Sequence, residues 1–221
     1  MREEQERTAE TRRARRRREE GSARRQQRGW LAPGSPELAR AGDLAAARAT
    51  IAAHVARDEE QARARTFLLE WIDAHPDALD RSCLAGHLTA SSLVLDARGE
   101  HALLTLHKKL GRWLQLGGHC DGDGNLARAA LREAQEESGI AELEIDPTPI
   151  DLDCHRIPAR PGEPEHWHLD TRFLARAAPG ATPRINPESK ELRWISLREG
   201  QSFELDDSVL RLFRLARGRE S

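Results

Sequence analysis

Apolar residues recur every three to four positions in four stretches of the chain, and they alternate with polar residues in several shorter stretches. The first spacing predicts amphipathic helices, and the second predicts strands with one buried face. The predicted helices cover residues 44–55, about 58–75, a segment that ends near 139, and about 206–217. The predicted strands cover residues 87–95, 101–106, 113–116, 142–145, 150–156, 166–173 and the end of the run 186–195. The turn-like residues 96–99 predict that the first two strands form a hairpin.

Three glutamates share one face of the third predicted helix. Glu133, Glu136 and Glu137 are three and four residues apart, a spacing that places side chains on one side of a helix. The other side is apolar and consists of Ala127, Ala130, Leu131 and Ala134. Crowded carboxylates repel one another unless a cation binds or a pKa rises. Oxygen ligands with no cysteine or histidine on the same face suit Mg²⁺ or Mn²⁺ better than zinc. The alternative interpretation is a solvated acidic face.

The stretch Gly118–Ile140, which reads GHCDGDGNLARAALREAQEESGI, resembles the Nudix box. In that box a glycine is followed after five residues by a glutamate, and after seven more by R-E-U-x-E-E-x-G-U, where U is aliphatic. Gly118 and the run from Arg132 to Ile140 match this pattern. Gly124 departs from it, because it stands where the box has its first glutamate. The resemblance implies an α+β protein, a Nudix-type α/β/α sandwich with a mixed sheet, here preceded by an N-terminal helical extension.

The resemblance also implies a pyrophosphohydrolase, which cleaves a phosphoanhydride in a nucleoside diphosphate linked to another moiety. It implies that Glu133, Glu136, Glu137 and the carbonyl of Gly117 hold Mg²⁺ or Mn²⁺, and that Arg132 positions Glu133. A late glutamate often acts as the general base or as a further ligand in this family, and both Glu188 and Glu191 lie in the matching region. The alternative for each of the two is a surface carboxylate. Two rival functions remain. One is a sensor module that binds a nucleotide without hydrolysing it, and the other is an RNA-end pyrophosphohydrolase.

A second group of polar residues alternates along the predicted strand 166–173. His166, His168, Asp170 and Arg172 point to one face of this strand. We interpret His168, Asp170 and Arg172 as lining the substrate cleft, and an ordinary solvent face is the alternative. The pair His166 and His168 also suggests a zinc site, but the sequence places no third ligand beside it.

Charge, the predicted elements and the resemblance together divide the chain into three segments: a tail rich in arginine (1–30), a helical extension (31–79) and a Nudix hydrolase domain (80–221). Residues 1–28 carry eleven arginines and six glutamates, a net charge of +5 in a chain of net charge −2. We expect this tail to be disordered because it has almost no apolar residues, and we expect no nucleic-acid partner because glutamates interrupt the basic run. The extension could cover the site or form a homodimer contact. Three scattered cysteines favour a reducing cytoplasm, and no apolar stretch is long enough to span a membrane.

Overall fold

Helices form where polar caps precede the apolar periodicity. The computed structural model describes residues 29–108, 110–185, 189–200 and 203–218; the predicted disordered tail therefore lies almost wholly outside the described residues. The helices in this part of the chain are α1 (Leu44–Ala53), α2 (Glu59–Ala74), α3 (Leu126–Ser138) and α4 (Asp207–Arg217), with a 3₁₀ turn at Pro36–Leu38. Each of the four is capped at its N-terminus by a side-chain oxygen, from Asp43, Asp58, Asn125 and Asp206. All four helices were predicted from the sequence.

One mixed sheet contains all the named strands of the described residues. They are β1 (Gly86–Leu95), β2 (His101–His107), β3 (Trp113–Leu114), β4 (Leu116–His119), β5 (Leu143–Ile157), β6 (His166–Ala177) and β7 (Ser189–Ser196). The order is β3-β2-β1-β6-β5, with β4 paired to β1 and β7 paired to β2. Strand β1 is central: it runs parallel to β6, and its other edge is shared by β4 and the end of β2. The predicted mixed α+β architecture with N-terminal helices is confirmed.

Strand β5 differs from the prediction. The sequence predicts two strands interrupted by Pro147 and Pro149, whereas the structure has one strand that pairs with β6 along most of its length. The pairing shifts register between Asp146 and Asp151. Prolines are tolerated at such an irregularity because no ladder hydrogen bond needs their missing N–H.

The main core lies between one face of the sheet and helix α3. The predicted apolar face of α3 is buried there, beside Leu88 of β1, Leu169 and Phe173 of β6. Ile51 of α1 and Leu68 of α2 belong to the same core. From Leu31 onward the described residues form one compact unit, so the predicted extension and the predicted catalytic domain share one core.

Hydrogen bonds fasten the extension to the sheet. Leu31 forms a two-bond bridge with Ile145 of β5, with N···O distances of 2.8 and 3.0 Å. The buried amide of Gln61 donates to the carbonyl of Ile150 and to Asp151. Both contacts join α2 and the preceding segment to β5 across a long separation in the sequence.

Helix α4 lies on the opposite face of the sheet. Its Arg211 hydrogen-bonds Asp151 of β5 and also reaches Asp58 and Glu60 of α2. Asp151 stands next to Arg172 in the sheet, on the face away from α3. The sheet is thus enclosed by helices on both faces. Among the described residues, no helix has both the length and the apolar character needed to cross a bilayer.

Candidate active site

The acidic residues of α3 do not all point the same way. The carboxylate of Glu137 accepts a hydrogen bond from the backbone N–H of Gly117 at 3.0 Å. The carboxylate of Glu133 lies against Gly118 and is 15% exposed. Glu136, one turn along, is 61% exposed. Two carboxylates therefore meet the backbone of β4, and the third lies at the solvent edge of the same group.

The two glycines of β4 are required by this close approach. A Cβ on Gly117 would lie 2.3 Å from the Cβ of Ser91 on β1. A Cβ on Gly118 would lie 2.3 Å from Oε2 of Glu133. A side chain at Gly117 would push β4 away from β1, and a side chain at Gly118 would displace the carboxylate of Glu133. The glycines therefore let β4 lie against β1 and let Glu133 approach its backbone.

Arg132 connects three parts of this site. Its Nη1 lies 2.5 Å from Oε1 of Glu133 and 3.5 Å from Oε2 of Glu136. Its Nη2 donates to the carbonyl of His119 at 2.8 Å. One guanidinium thus ties the helix to the end of β4 and restrains Glu133 through a charged hydrogen bond.

The electrostatics of the site favour a cation. Burial raises the pKa of Glu133; Arg132 counteracts this, and the charges of Glu136 and Asp121 add to the rise. A bound cation would relieve the cost of keeping this carboxylate ionised. The available donors are carboxylate and backbone oxygens, the ligand type of Mg²⁺ and Mn²⁺. The residues present therefore fit a hard divalent ion.

The loop before α3 explains the glycine at position 124. The N–H of Gly124 donates to the carbonyl of Ala41 at 2.6 Å. A Cβ on Gly124 would lie 1.9 Å from the backbone oxygen of Asp43. The neighbouring Asp123 is buried; its carboxylate accepts from the N–H of Ala41 at 3.1 Å and is also paired with Arg128. The N-terminal extension therefore occupies the space that a side chain at position 124 would fill.

The three residues predicted to line the substrate cleft lie on the sheet face opposite α3. Arg172 is 3% exposed and hydrogen-bonds Asp170, Asp151 and Asp153. Asp170 in turn accepts from the hydroxyls of Thr89 and Ser91. This closed network favours a structural role for Arg172, and substrate binding by these residues stays a prediction.

None of the described contacts joins Glu188 or Glu191 to the residues of the Nudix box. Glu188 lies outside the described residues. Glu191 lies within β7, which pairs with β2, and its Oε1 accepts from Nε of Arg193 at 2.9 Å. A role for either glutamate as general base or metal ligand stays a prediction.

A histidine cluster was missed by sequence reasoning. His87 of β1, His119 of β4 and His168 of β6 each direct a ring nitrogen to one region, and these atoms all lie within 4.8 Å of one another. The sequence had suggested His166 as the partner of His168. Strand alternation places His87 on the face of Thr89 and Ser91, but only the pairing of β1 with both β4 and β6 brings the three together.

Comparison with known proteins supports the sequence resemblance. A family model described as NUDIX domain matches residues 86–214, which is more than half of the chain. Similar solved structures include a hydrolase of the NUDIX family from Clostridium perfringens, with 25% identity and a TM-score of 0.47, covering 59% of this chain and 95% of that one. An Ap4A hydrolase from C. elegans has 18% identity and a TM-score of 0.49, with 59% and 95% covered. The NUDIX domain of Shewanella oneidensis NrtR, complexed with ADP ribose, has 18% identity and a TM-score of 0.47, with 69% and 97% covered. No curated protein matches the chain.

Proposed function

We propose that this chain, which belongs to the NUDIX domain family, cleaves a phosphoanhydride in a nucleoside diphosphate linked to a second moiety. The reaction would use Mg²⁺ or Mn²⁺. The family match supports a pyrophosphohydrolase acting on acid anhydrides. The substrate class and the ion are the parts that we propose. The observation that supports the ion is the convergence of Glu133 and Glu137 on the backbone of Gly117 and Gly118, with Arg132 holding Glu133. The substrate class follows from the family.

The ion would be held by oxygen donors from α3 and β4. They are the carboxylates of Glu133, Glu136 and Glu137 and the carbonyl of Gly117. When bound, a divalent ion neutralises charge on the phosphate oxygens and lowers the pKa of a bound water. The N–H of Gly117 already faces Glu137, which supports an arrangement in which this backbone edge belongs to the site.

The protein's own residues would orient the reacting groups. Arg132 restrains Glu133 and the carbonyl of His119 together, so the helix and β4 keep a fixed spacing while substrate binds. The proton of the attacking water would pass to a carboxylate outside the ion's ligands, and Glu188 and Glu191 are the candidates. Glu191 would first have to leave its pairing with Arg193.

The structure offers a reason for Gly124 that does not involve loss of activity. The rival sensor function draws its support from the missing glutamate at this position. Because the extension passes through the space beside Gly124, the glycine is explained by packing. The cluster of Glu133, Glu136 and Glu137 is retained, and a sensor has no need of it.

The proposal is tested by measuring phosphate release, after a coupled phosphatase, from a panel of nucleoside diphosphate compounds with Mg²⁺ or Mn²⁺. Wild type is compared with Glu137→Gln, and Glu70→Gln, an exposed glutamate on α2, is the matched control. We expect Glu137→Gln to lose at least about 10²–10³-fold in rate, the scale of a lost electrostatic contact at a reacting centre, and Glu70→Gln to retain activity. Folded wild-type protein without ion-dependent turnover on any compound would favour the sensor.

The three free cysteines are consistent with our proposal that the protein acts in the cytoplasm.

A further inference from the structure

We propose that His87, His119 and His168 bind a metal ion such as Zn²⁺ at a site separate from the carboxylates of α3. This site is independent of the proposed hydrolysis: its ligands are nitrogens, whereas those of the active site are oxygens. Three histidines with an open fourth position form a known type of zinc site.

The sheet itself assembles the three side chains. His87 and His168 are register partners on the parallel strands β1 and β6, and His119 pairs with Thr89, two residues along β1. Their ligand atoms lie within 4.8 Å of one another. Nitrogens around a four-coordinate zinc ion are about 3.4 Å apart, so each pair of ligand nitrogens would have to approach by at most about 1.4 Å on binding.

A buried nitrogen without a partner points to a ligand. His87 is 4% exposed, and its Nε2 is buried and makes no hydrogen bond to the described residues. The other nitrogen, Nδ1, lies 3.4 Å from the carbonyl of Cys83. Because a carbonyl only accepts, this contact places the proton on Nδ1 and leaves a lone pair on Nε2. Metal-binding histidines characteristically have their second nitrogen bonded in this way.

His166 lies at the edge of the cluster and faces a carboxylate. Its Nδ1 lies 2.9 Å from the carbonyl of Pro164, and its buried Nε2 lies 3.7 Å from Oε1 of Glu163. Its ring stacks on that of His87, with centroids 5.0 Å apart. His166 therefore packs beside the three ligands while its second nitrogen is directed to Glu163.

Burial also favours the form of imidazole that binds a metal ion. It lowers the pKa of His87 and of His168. This direction favours the neutral ring, whose unprotonated nitrogen can bind a cation.

The cluster is closed on one side and accessible on the other. His87 is buried, whereas His119 and His168 are partly exposed. Solvent therefore reaches the cluster from the side of His119 and His168, and a water molecule could complete the ligands of a bound ion. The carbonyl of His119 accepts from Arg132, so the ion would also stabilise the end of β4 beside the active site.

The test uses untagged, full-length protein from which metal has been removed with a chelator. Co²⁺ is titrated in the presence of excess Mg²⁺, which occupies the oxygen ligands, and the visible d–d absorption of tetrahedral Co²⁺ is recorded. We expect wild type to bind one Co²⁺ with this absorption and to exchange it for Zn²⁺. His119→Gln and His168→Gln should weaken binding by about 100-fold or more, since even loss of an outer hydrogen-bond partner costs 10–100-fold.

Two control variants locate the ion. Glu137→Gln removes an oxygen ligand of the active site and should keep the tetrahedral absorption. His101→Gln removes a histidine that pairs with Asp96 at the β1–β2 hairpin and should also keep it. Zn²⁺ should raise the melting temperature of wild type, and raise it far less in His119→Gln and His168→Gln. The proposal is overturned if wild type gives no tetrahedral absorption, if the two cluster variants bind as wild type does, or if Glu137→Gln abolishes binding.

Discussion

The backbone oxygen of Asp43 lies 1.9 Å from the position that a Cβ on Gly124 would occupy. Asp43 caps helix α1 of the extension, and Gly124 stands where the Nudix box has a glutamate. The glycine that replaces the box glutamate and the position of the extension are therefore explained by the same contact. A side chain at position 124 and the observed path of the extension exclude each other.

We expect Gly124→Ala to destabilise the protein by about 1–3 kcal/mol, the usual cost of forcing an extra group into a packed site. The methyl group would meet backbone of the extension, which cannot rotate away as a side chain can. Urea unfolding of wild type and variant measures the difference.

Gly42→Ala is the matched control for this prediction. A Cβ at Gly42 has no heavy atom within 4 Å, so we expect no comparable loss of stability. If Gly124→Ala and Gly42→Ala unfold at the same urea concentration, the extension does not pack on Gly124 as described.

Arg172 is expected to act through stability. It is buried among Asp151, Asp153 and Asp170. Arg172→Met would remove the positive charge that these three carboxylates share, although Arg211 would still pair with Asp151. Breaking a buried ion pair from one side typically costs about 3–5 kcal/mol. We expect urea unfolding to show a loss of this size, and any folded Arg172→Met protein to retain a KM close to that of wild type.

Arg176→Met provides the comparison on the same strand. Its pairing with Glu144 is much more exposed, and exposed pairs are worth about 0–1 kcal/mol. A KM raised many-fold in Arg172→Met, with stability lowered no more than in Arg176→Met, would instead assign Arg172 to the substrate.

Arg132→Lys should separate charge from geometry in the active site. Lysine keeps the charge but cannot bind Glu133, Glu136 and the carbonyl of His119 at the same time. We expect Mn²⁺ affinity, measured from the free Mn²⁺ signal in electron paramagnetic resonance, to fall by about 10–100-fold, as for other lost ligand-orienting contacts. Arg63→Lys, an exposed change on α2, should have no effect. Unchanged Mn²⁺ affinity in Arg132→Lys would mean that the arginine does not organise the ligands.

Local features of the chain were predictable from its sequence. The apolar periodicity of α3 and the glycine that ends it were both visible, and Gly139 adopts the left-handed conformation, with φ of 67°. Asp43 and Asp58 directly precede the two predicted N-terminal helices and cap them, as aspartate commonly does. In each case, residues a few positions apart decide the structure, so the sequence alone is sufficient.

Features that depend on distant segments were not predictable. His87, His119 and His168 come from three strands, and their contact requires knowing that β1 lies between β4 and β6. The reason for Gly124 lies in Asp43, far earlier in the chain. Single-sequence patterns report which face of a strand a residue occupies, but not which strand lies beside it.

His54 makes the attachment of the extension sensitive to acid. It is buried at the end of α1, and its Nε2 donates to Oε1 of Gln61 at 3.2 Å. Burial lowers the pKa of His54, and the charge of Arg57 adds to the lowering. The hydrogen bond to Gln61, the carbonyl of Pro149 and the charge of Asp151 partly raise the pKa again. The folded protein therefore resists protonation of His54.

As pH falls through about 6.5, the usual pKa of histidine, the unfolded chain binds a proton at position 54 before the folded protein does. The free energy of unfolding should then fall, by at most about 1.4 kcal/mol per pH unit for this group, until the pKa of the folded state is reached. Urea unfolding at about pH 7.5 and about pH 5.5 measures the change. We expect His54→Gln to lose less stability than wild type between the two conditions, because glutamine does not titrate. Equal losses in the two proteins would show that His54 is not the group through which acid weakens the attachment of the extension.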